Sequence, residues 1–247
     1  MSHGEPDPAL LASMRLYYQP ILRLEDGETD HCEVLCREAG ENGILQGPET
    51  IVDAMTGTGH ALPLTLAIMR RAMAEYRAYH FAAEGLALAF NLPLDAMLHP
   101  DLGSEIAALC AAAGIAPASI RFELTETSPV EDFAAAAVSI TALHAAGHHI
   151  ALDDISPDTP YLAALMTLPV RAIKFSHTLV ASPASLPFIR AMAARASARG
   201  LDSTAEGIET PAQLAAMQSA GVTHGQGYLF SHPLPASALG SLLRGAA

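Results

Sequence analysis

From Leu86 onward the chain repeats one pattern: a short apolar, β-prone run, then a stretch long enough for a helix. Strand-like runs lie at Leu86–Asn91, Ile120–Thr125, His149–Asp154, Arg171–Ser176, Asp202–Ile208 and Gly225–Phe230, with two earlier ones at Leu16–Leu24 and His31–Arg37. Helical spacing fills Pro48–Thr56 and Leu62–Tyr79, where apolar residues recur at i, i+3, i+4 and i+7. Further helices are expected near 102–113, 131–146, 159–167, 186–199 and 235–244, with another from Pro211 that takes Thr210 as its N-cap. Eight β segments, mostly followed by helices, in 247 residues predict an α/β fold of TIM-like (β/α)8 type. An open doubly wound sheet is the alternative, but no Gly-x-Gly-x-x-Gly turn recommends it. Residues 1–14 read as a tail or lead-in helix, 40–47 as a polar loop and 15–247 as a single barrel domain.

The run His149-Ile150-Ala151-Leu152-Asp153-Asp154-Ile155 ends a strand pattern in two adjacent carboxylates. Like charges that close raise each other's pKa unless a cation lies between them. The doublet therefore either begins an Asp-rich turn that caps a helix or holds a divalent metal. Barrels place their chemistry at the C-terminal strand ends. Polar residues at those ends or on inward faces are Glu33, Asn91, Glu123, Asp153, Asp154, Lys174, Glu206 and Gln226. Alternation along His31–Arg37 puts Glu33, Leu35 and Arg37 on one face and Cys32, Val34 and Cys36 on the other. A set so rich in oxygen selects Mg²⁺, Mn²⁺ or Ca²⁺ over softer metals, and Asp153 is placed to bridge two ions.

Composition narrows the classes. A formal charge of −13 argues against DNA or RNA as a partner. With no apolar run of about 18 residues, membrane insertion is not expected. Met1 to Pro8 is polar and acidic without a basic lead-in, so no signal peptide is expected and cytoplasm is the expected compartment. Three cysteines without paired spacing suit a reducing environment. Of 13 basic residues only Lys174 is a lysine, and it stands in the apolar run Ala172-Ile173-Lys174-Phe175. An ammonium kept where burial disfavours it is a candidate for chemistry.

Taken together, these residues resemble the EAL family of cyclic di-GMP phosphodiesterases. Tyr18-Gln19-Pro20-Ile21 resembles the family's opening strand, and Glu33-Val34-Leu35 stands where Glu-Ala-Leu gives the family its name, with Arg37 following. Asn91, Glu123-Leu124-Thr125-Glu126, Asp153-Asp154, Lys174, Glu206-Gly207-Ile208-Glu209-Thr210 and Gln226-Gly227-Tyr228 keep the family's order. The resemblance implies a barrel whose first strand is antiparallel to the rest. It implies one Mg²⁺ or Mn²⁺ on Glu33, Asn91, Glu123 and Asp153, and a second on Asp153, Asp154 and Glu206, with Ca²⁺ expected to inhibit. Lys174, Glu206 and Gln226 are the implied catalytic set, with Lys174 orienting the nucleophilic water and Gln226 ordering water or metal. Arg37 is implied to contact a ligand phosphate, Gln19 and Glu209 guanine or ribose, and Glu126 to steady the loop after the doublet. Hydrolysis of cyclic di-GMP to linear pGpG is the implied reaction. A homodimer and a regulatory protein partner are further expectations.

Two departures bear on turnover. The family usually follows the doublet with Phe-Gly-Thr-Gly, whereas this chain has Ile155-Ser156-Pro157-Asp158-Thr159-Pro160. A stiffer loop without the family's positive-φ glycines is expected. The family's Lys-x-Asp is Lys174-Phe175-Ser176, so a carboxylate near the lysine is expected to be missing. The chain keeps all six metal-ligand positions, which favours a phosphodiesterase, slow or partner-dependent. The alternatives are a receptor that binds cyclic di-GMP without cleaving it, and an EAL-like adaptor that binds a protein. His144, His148 and His149 have zinc-like spacing, but Gly147 breaks the helix between them and a helix C-terminus with favourable histidines is the simpler reading. His224 and His232 flank the last strand and are expected to face solvent.

Overall fold

The computed structural model describes residues 6–40, 45–55, 59–124 and 133–245. A helix at Pro8–Ser13 leads into the strands β1 (Met14–Arg23) and β2 (Thr29–Ala39). Between them, Glu25-Asp26-Gly27 makes a tight turn, with Gly27 at φ 78° and Arg23 N–H donating to the Glu28 carbonyl. A connection this short can join only antiparallel neighbours. That turn reverses the first strand, as the resemblance implied: β1 and β2 pair antiparallel from Met14 opposite Glu38 to Leu22 opposite Thr29.

The remaining strands are β3 (Leu45–Gln46), β4 (Ala87–Leu92), β5 (Ile120–Leu124), β6 (His149–Ile155), β7 (Ala172–Phe175), β8 (Asp202–Ala205) and β9 (His224–Gly225). Pairing runs β1-β2-β4-β5-β6-β7-β8-β9 and returns from β9 to β1, closing an eight-stranded barrel. All neighbours from β2 round to β9 are parallel, and β1 is antiparallel to both of its own. The pair Leu45–Gln46 hangs on Glu38 and Ala39 outside the ring, inside a stretch expected to be loop. Backbone pairing of two polar-flanked residues leaves no periodic signature in a sequence.

Two strands are shorter than the apolar pattern suggests. The strand expected over Asp202–Ile208 stops at Ala205, because Gly207 turns to φ 67°. The one expected over Gly225–Phe230 covers only His224–Gly225, and the backbone then turns so that Phe230 N–H donates to the Gly227 carbonyl. Helices pack outside the ring. The longest, Ala61–Ala78, buries Leu62, Leu64, Met69, Met73 and Tyr76, and the outward side chains Cys32, Val34 and Cys36 of β2 join that core. The helix Pro211–Ser219 starts on a complete capping box between Thr210 and Gln213.

Gly227 fixes the residue before it. A Cβ there would lie 2.2 Å from the Ile208 carbonyl oxygen and 2.3 Å from its nitrogen, both backbone atoms that cannot swing aside. Gly227→Ala is therefore expected to destabilise the protein by about 1–3 kcal/mol or more, read as a lowered Tm. An unchanged Tm would show that the two turns are free to move apart.

A candidate metal centre in the barrel mouth

Strand geometry brings one polar side chain from every barrel strand to the axis. Gln19 comes from β1, Glu33 from β2, Asn91 from β4, Glu123 from β5, Asp153 from β6 and Lys174 from β7, while Glu206 and Gln226 directly follow β8 and β9. In-register pairing explains the convergence: Gln19 lies opposite Glu33, and Asn91 opposite Glu123.

Lys174 is the centre of the set, with 1% of its surface exposed. Its Nζ lies 2.6 Å from Glu206 Oε1, 2.7 Å from Glu123 Oε2, 3.2 Å from Asp153 Oδ1 and 3.9 Å from Glu33 Oε2. Burial works against its charge, but these four carboxylates outweigh burial and hold the ammonium well above its ordinary pKa. Burial drives the Glu123 carboxyl well above the carboxylate range despite Lys174, and pushes Glu206 up to about 8. Burial and the neighbouring Asp153 also raise Asp154. Glu33 goes the other way: burial raises it, yet the Lys174 charge and N–H donation from Gln226 and Asn91 leave it below its ordinary value.

The amides are committed. Asn91 Nδ2 donates to Glu33 Oε1 at 2.8 Å, and Gln226 Nε2 donates to Glu33 Oε2 at 2.8 Å and to Gln19 Oε1 at 3.0 Å. Those two acceptors fix the orientation of the Gln226 amide and leave its buried Oε1 with no hydrogen-bond partner. Among the described residues, Asp153, Asp154 and Glu206 bring three ligand oxygens within 4.8 Å of one another. An oxygen-only donor set beside an orphaned amide oxygen fits a hard cation such as Mg²⁺ or Mn²⁺.

Above the carboxylates lies a cleft of about 580 Å³, lined by Gln19, Glu33, Asn91, Asp153, Asp154, Glu206 and Gln226 and, toward its rim, by Glu209, His177, Gln213 and Tyr228. The last three carried no role in the sequence reading. The strand-end rule applied to β7 finds His177, two residues past Phe175. Tyr228 is more than half exposed and packs its ring against His232 in a tilted contact, with centroids 4.1 Å apart. Arg37 does not line this cleft. It stands in an adjoining, mostly apolar cavity of about 260 Å³ with Leu35, Ile51 and Met55, which shares Asn91 with the cleft. Glu126 lies outside the described residues.

Around the doublet, the loop departs from the expectation in one respect. Asp154 sits at φ 48° and Tyr161 at φ 54°, so left-handed backbone is present on both sides of it without glycine. Between them Ser156 N–H donates to Thr159 Oγ1 and Thr159 N–H to the Ser156 carbonyl, a closed turn around Pro157-Asp158. Ser176, where a carboxylate was expected to be missed, bonds Thr178 Oγ1 and begins the helix His177–Ala181. Lys174 has four carboxylates without it.

The histidines resolve separately. His144 is exposed, while His148 is buried with Nδ1 3.1 Å from the Pro117 carbonyl and its ring against Phe122. His232 is exposed as expected, but His224 is buried at the opposite end of the barrel, since it opens β9 where the expected strand began one residue later.

The family model of the EAL domain matches residues 9–233. The chain belongs to the EAL family. The cyclic di-GMP phosphodiesterase NbdA of Pseudomonas aeruginosa is 32% identical over 236 residues, which cover 94% of this chain and 30% of that protein. The chain thus spans under a third of that relative's length. The crystal structure of the EAL domain of Mycobacterium smegmatis DcpA is 26% identical with a TM-score of 0.77, covering 95% of this chain and 97% of that one. The PaMucR phosphodiesterase in complex with c-di-GMP superposes with a TM-score of 0.85 at 24% identity, over 92% of this chain and 94% of that one. The barrel fold is common to these chains. No helix among the described residues is long and apolar enough to cross a membrane.

Metal uptake by this EAL barrel must compete with protons. With Glu206 at about 8, its carboxyl is mostly protonated near neutral pH, so metal binding is expected to release about one proton from it. Affinity for Mn²⁺ should then rise with pH until about 8 to 9 and level off. Calorimetry in buffers of different ionisation enthalpy measures the release; none near neutral pH would show Glu206 already ionised. In Lys174→Met the four carboxylates lose their internal cation. The metal-free variant is expected to lose about 3–5 kcal/mol of stability, and Mn²⁺ should raise its Tm more than it raises that of the parent protein.

Proposed function

We propose that this EAL barrel is a metal-dependent phosphodiesterase that hydrolyses cyclic di-GMP to linear pGpG. The observation that carries the reading is the Lys174 ammonium set among Glu33, Glu123, Asp153 and Glu206, buried behind the three of them (Glu33, Asp153 and Glu206) that line the cleft. Two relatives support it by their names: NbdA as a cyclic di-GMP phosphodiesterase and PaMucR as a phosphodiesterase complexed with c-di-GMP.

In this reading Glu33, Asn91, Glu123 and Asp153 would hold one Mg²⁺ or Mn²⁺, and Asp153, Asp154 and Glu206 would hold a second. Bound there, the ions would supply activation of water at neutral pH and Lewis-acid polarisation of the phosphate. Lys174 orients the water and offsets charge developing on the phosphoryl oxygens. Gln226 has one acceptor free, Oε1, with which to order water or metal. Attack at phosphorus breaks one P–O3′ bond, leaving a 5′-phosphate at one end of pGpG and a 3′-hydroxyl at the other. Arg37, from the adjoining cavity, contacts a phosphate of the ligand, and Gln19 and Glu209 at the cleft wall contact guanine or ribose. Glu126 steadies the loop after the doublet. A homodimer or a regulatory protein partner belongs to the same reading, as does Ca²⁺ acting as an inhibitor.

Turnover is slow in this reading, for two reasons close to the doublet. Lys174 is engaged by short contacts to Glu123 and Glu206, and the Ser156–Thr159 turn beside the doublet is closed by its own hydrogen bonds. Purified protein incubated with cyclic di-GMP and Mn²⁺ is expected to yield pGpG on chromatography, with none in EDTA. Glu33→Ala and Lys174→Ala should each lower the rate by at least about 10²–10³-fold. Binding of cyclic di-GMP by calorimetry without any pGpG would make this a receptor, and absence of both would point to a protein partner.

A further inference from the structure

The barrel has a second polar cavity, of about 310 Å³, at the end opposite the cleft. The residues that build it open strands: Asp30 and His31 lie near the start of β2, Arg121 of β5, His149 of β6 and His224 of β9. Arg171 and Asp202 stand at its exposed rim, and Arg23 reaches it from the far end of β1. Lys174 and Glu123 form the inner wall, so the same buried pair lies between this cavity and the metal-site cleft.

Three of the chain's 12 arginines meet here against two aspartates, in a chain of net charge −13. Their donors are not used up. Arg121 Nη2 pairs with Asp30 Oδ2 at 2.9 Å. Its Nη1 lies 3.2 Å from His31 Nδ1, but that nitrogen is also 2.9 Å from Asp30 Oδ2. When His31 donates to the carboxylate it cannot accept from the guanidinium. The remaining donor, Arg121 Nε, is buried with no hydrogen-bond partner. Arg23 is held by Asp26, whereas the Arg171 guanidinium makes no ion pair among the described residues. A network that merely sealed the barrel would not leave a buried guanidinium donor unsatisfied, which costs about 1–3 kcal/mol.

We propose that this cavity binds a small tetrahedral oxyanion of the phosphate class, free or as the terminal group of a phosphomonoester. Arg121 offers its unused Nε and Nη1, Arg171 stands over the rim, and His149 adds a ring N–H donor from a further strand, while the N–H of His224 is taken by Thr223 Oγ1. Donors from β5, β6 and the entry to β7 suit the several oxygens of a tetrahedral anion better than a planar carboxylate, and guanidiniums match such oxygens bidentately. Asp30 orients Arg121 and balances its charge.

Thermal unfolding of the full chain in EDTA tests it, with inorganic phosphate against chloride at matched ionic strength. A saturable rise in Tm of roughly 3–6 °C is expected at a phosphate concentration about tenfold above Kd. Arg171→Ala, exposed and unpaired, should keep the fold and weaken phosphate at least about fivefold. Arg121→Lys retains the charge beside Asp30 but removes Nε, and should weaken it further. Arg37→Ala, beside the opposite cleft, should leave the response intact. Guanosine 5′-monophosphate in place of phosphate separates the sources: a rise with phosphate alone assigns the free ion, and a rise with both assigns a phosphomonoester end. No phosphate-specific rise, or one that survives Arg171→Ala and is lost in Arg37→Ala, overturns the proposal.

Discussion

The ammonium of Lys174 lets four carboxylates share a dry site. Glu33, Glu123 and Asp153 come from three strands and Glu206 from the turn after a fourth, and each lies within 4 Å of the same nitrogen. Without a central cation, carboxylates this close repel strongly enough that most would have to keep their protons. Even with it, Glu123 and Glu206 remain shifted upward, so one lysine only partly balances the set. The chain's sole lysine is thus a structural counter-charge first. A divalent cation completes what one ammonium leaves uncompensated, which is the physical reason the cleft suits a hard metal.

Much of this was legible in the residues, for a simple reason. A side chain every second position along a strand, with one polar residue at each strand's inward end, is a one-dimensional pattern, and Glu33, Asn91, Glu123, Asp153 and Lys174 follow it. The direction of the first strand was legible only by resemblance, although the three-residue turn at Glu25-Asp26-Gly27 already contained the cause. The last strands were misjudged because Gly207 and Gly227 allow sharp turns inside runs that look β-prone. The cavity at the other end went unread because its members, Asp30, His31, Arg121, His149, Arg171 and His224, begin strands, one or two per element. Each alone resembles an ordinary surface or helix-end residue, and only closure of the ring brings them together. His177 was missed although it obeys the same strand-end rule as Lys174's neighbours.

Backbone strain sits beside the chemistry. Asp154 holds a left-handed conformation that non-glycine residues adopt at a cost, between a buried Asp153 whose Oδ1 accepts its N–H and a buried Ile155. The turn Ser156–Thr159, closed by its own hydrogen bonds, keeps that conformation from relaxing outward. Stiffness there fixes where one carboxylate of the doublet points, and limits how far it can follow a ligand.

The ring is closed by its most distant parts. Strand β1 meets β9 only through Leu22 with Gly225 and Arg23 with His224, backed by the bridge between Tyr18 and Leu234 and by the Gln19–Gln226 hydrogen bond. Residues from the two ends of the sequence must find each other before either cavity has its full wall. Such long-range closure is slow compared with forming the β4 to β8 crossovers. The metal carboxylates of the middle strands can therefore gather in an unclosed sheet, while the Gln226 amide that donates to Glu33 arrives last. During synthesis, a nascent chain lacking β9 would carry most of the acidic cluster on the open inner face of an unclosed sheet, and that interval is when the cluster most needs a counter-charge.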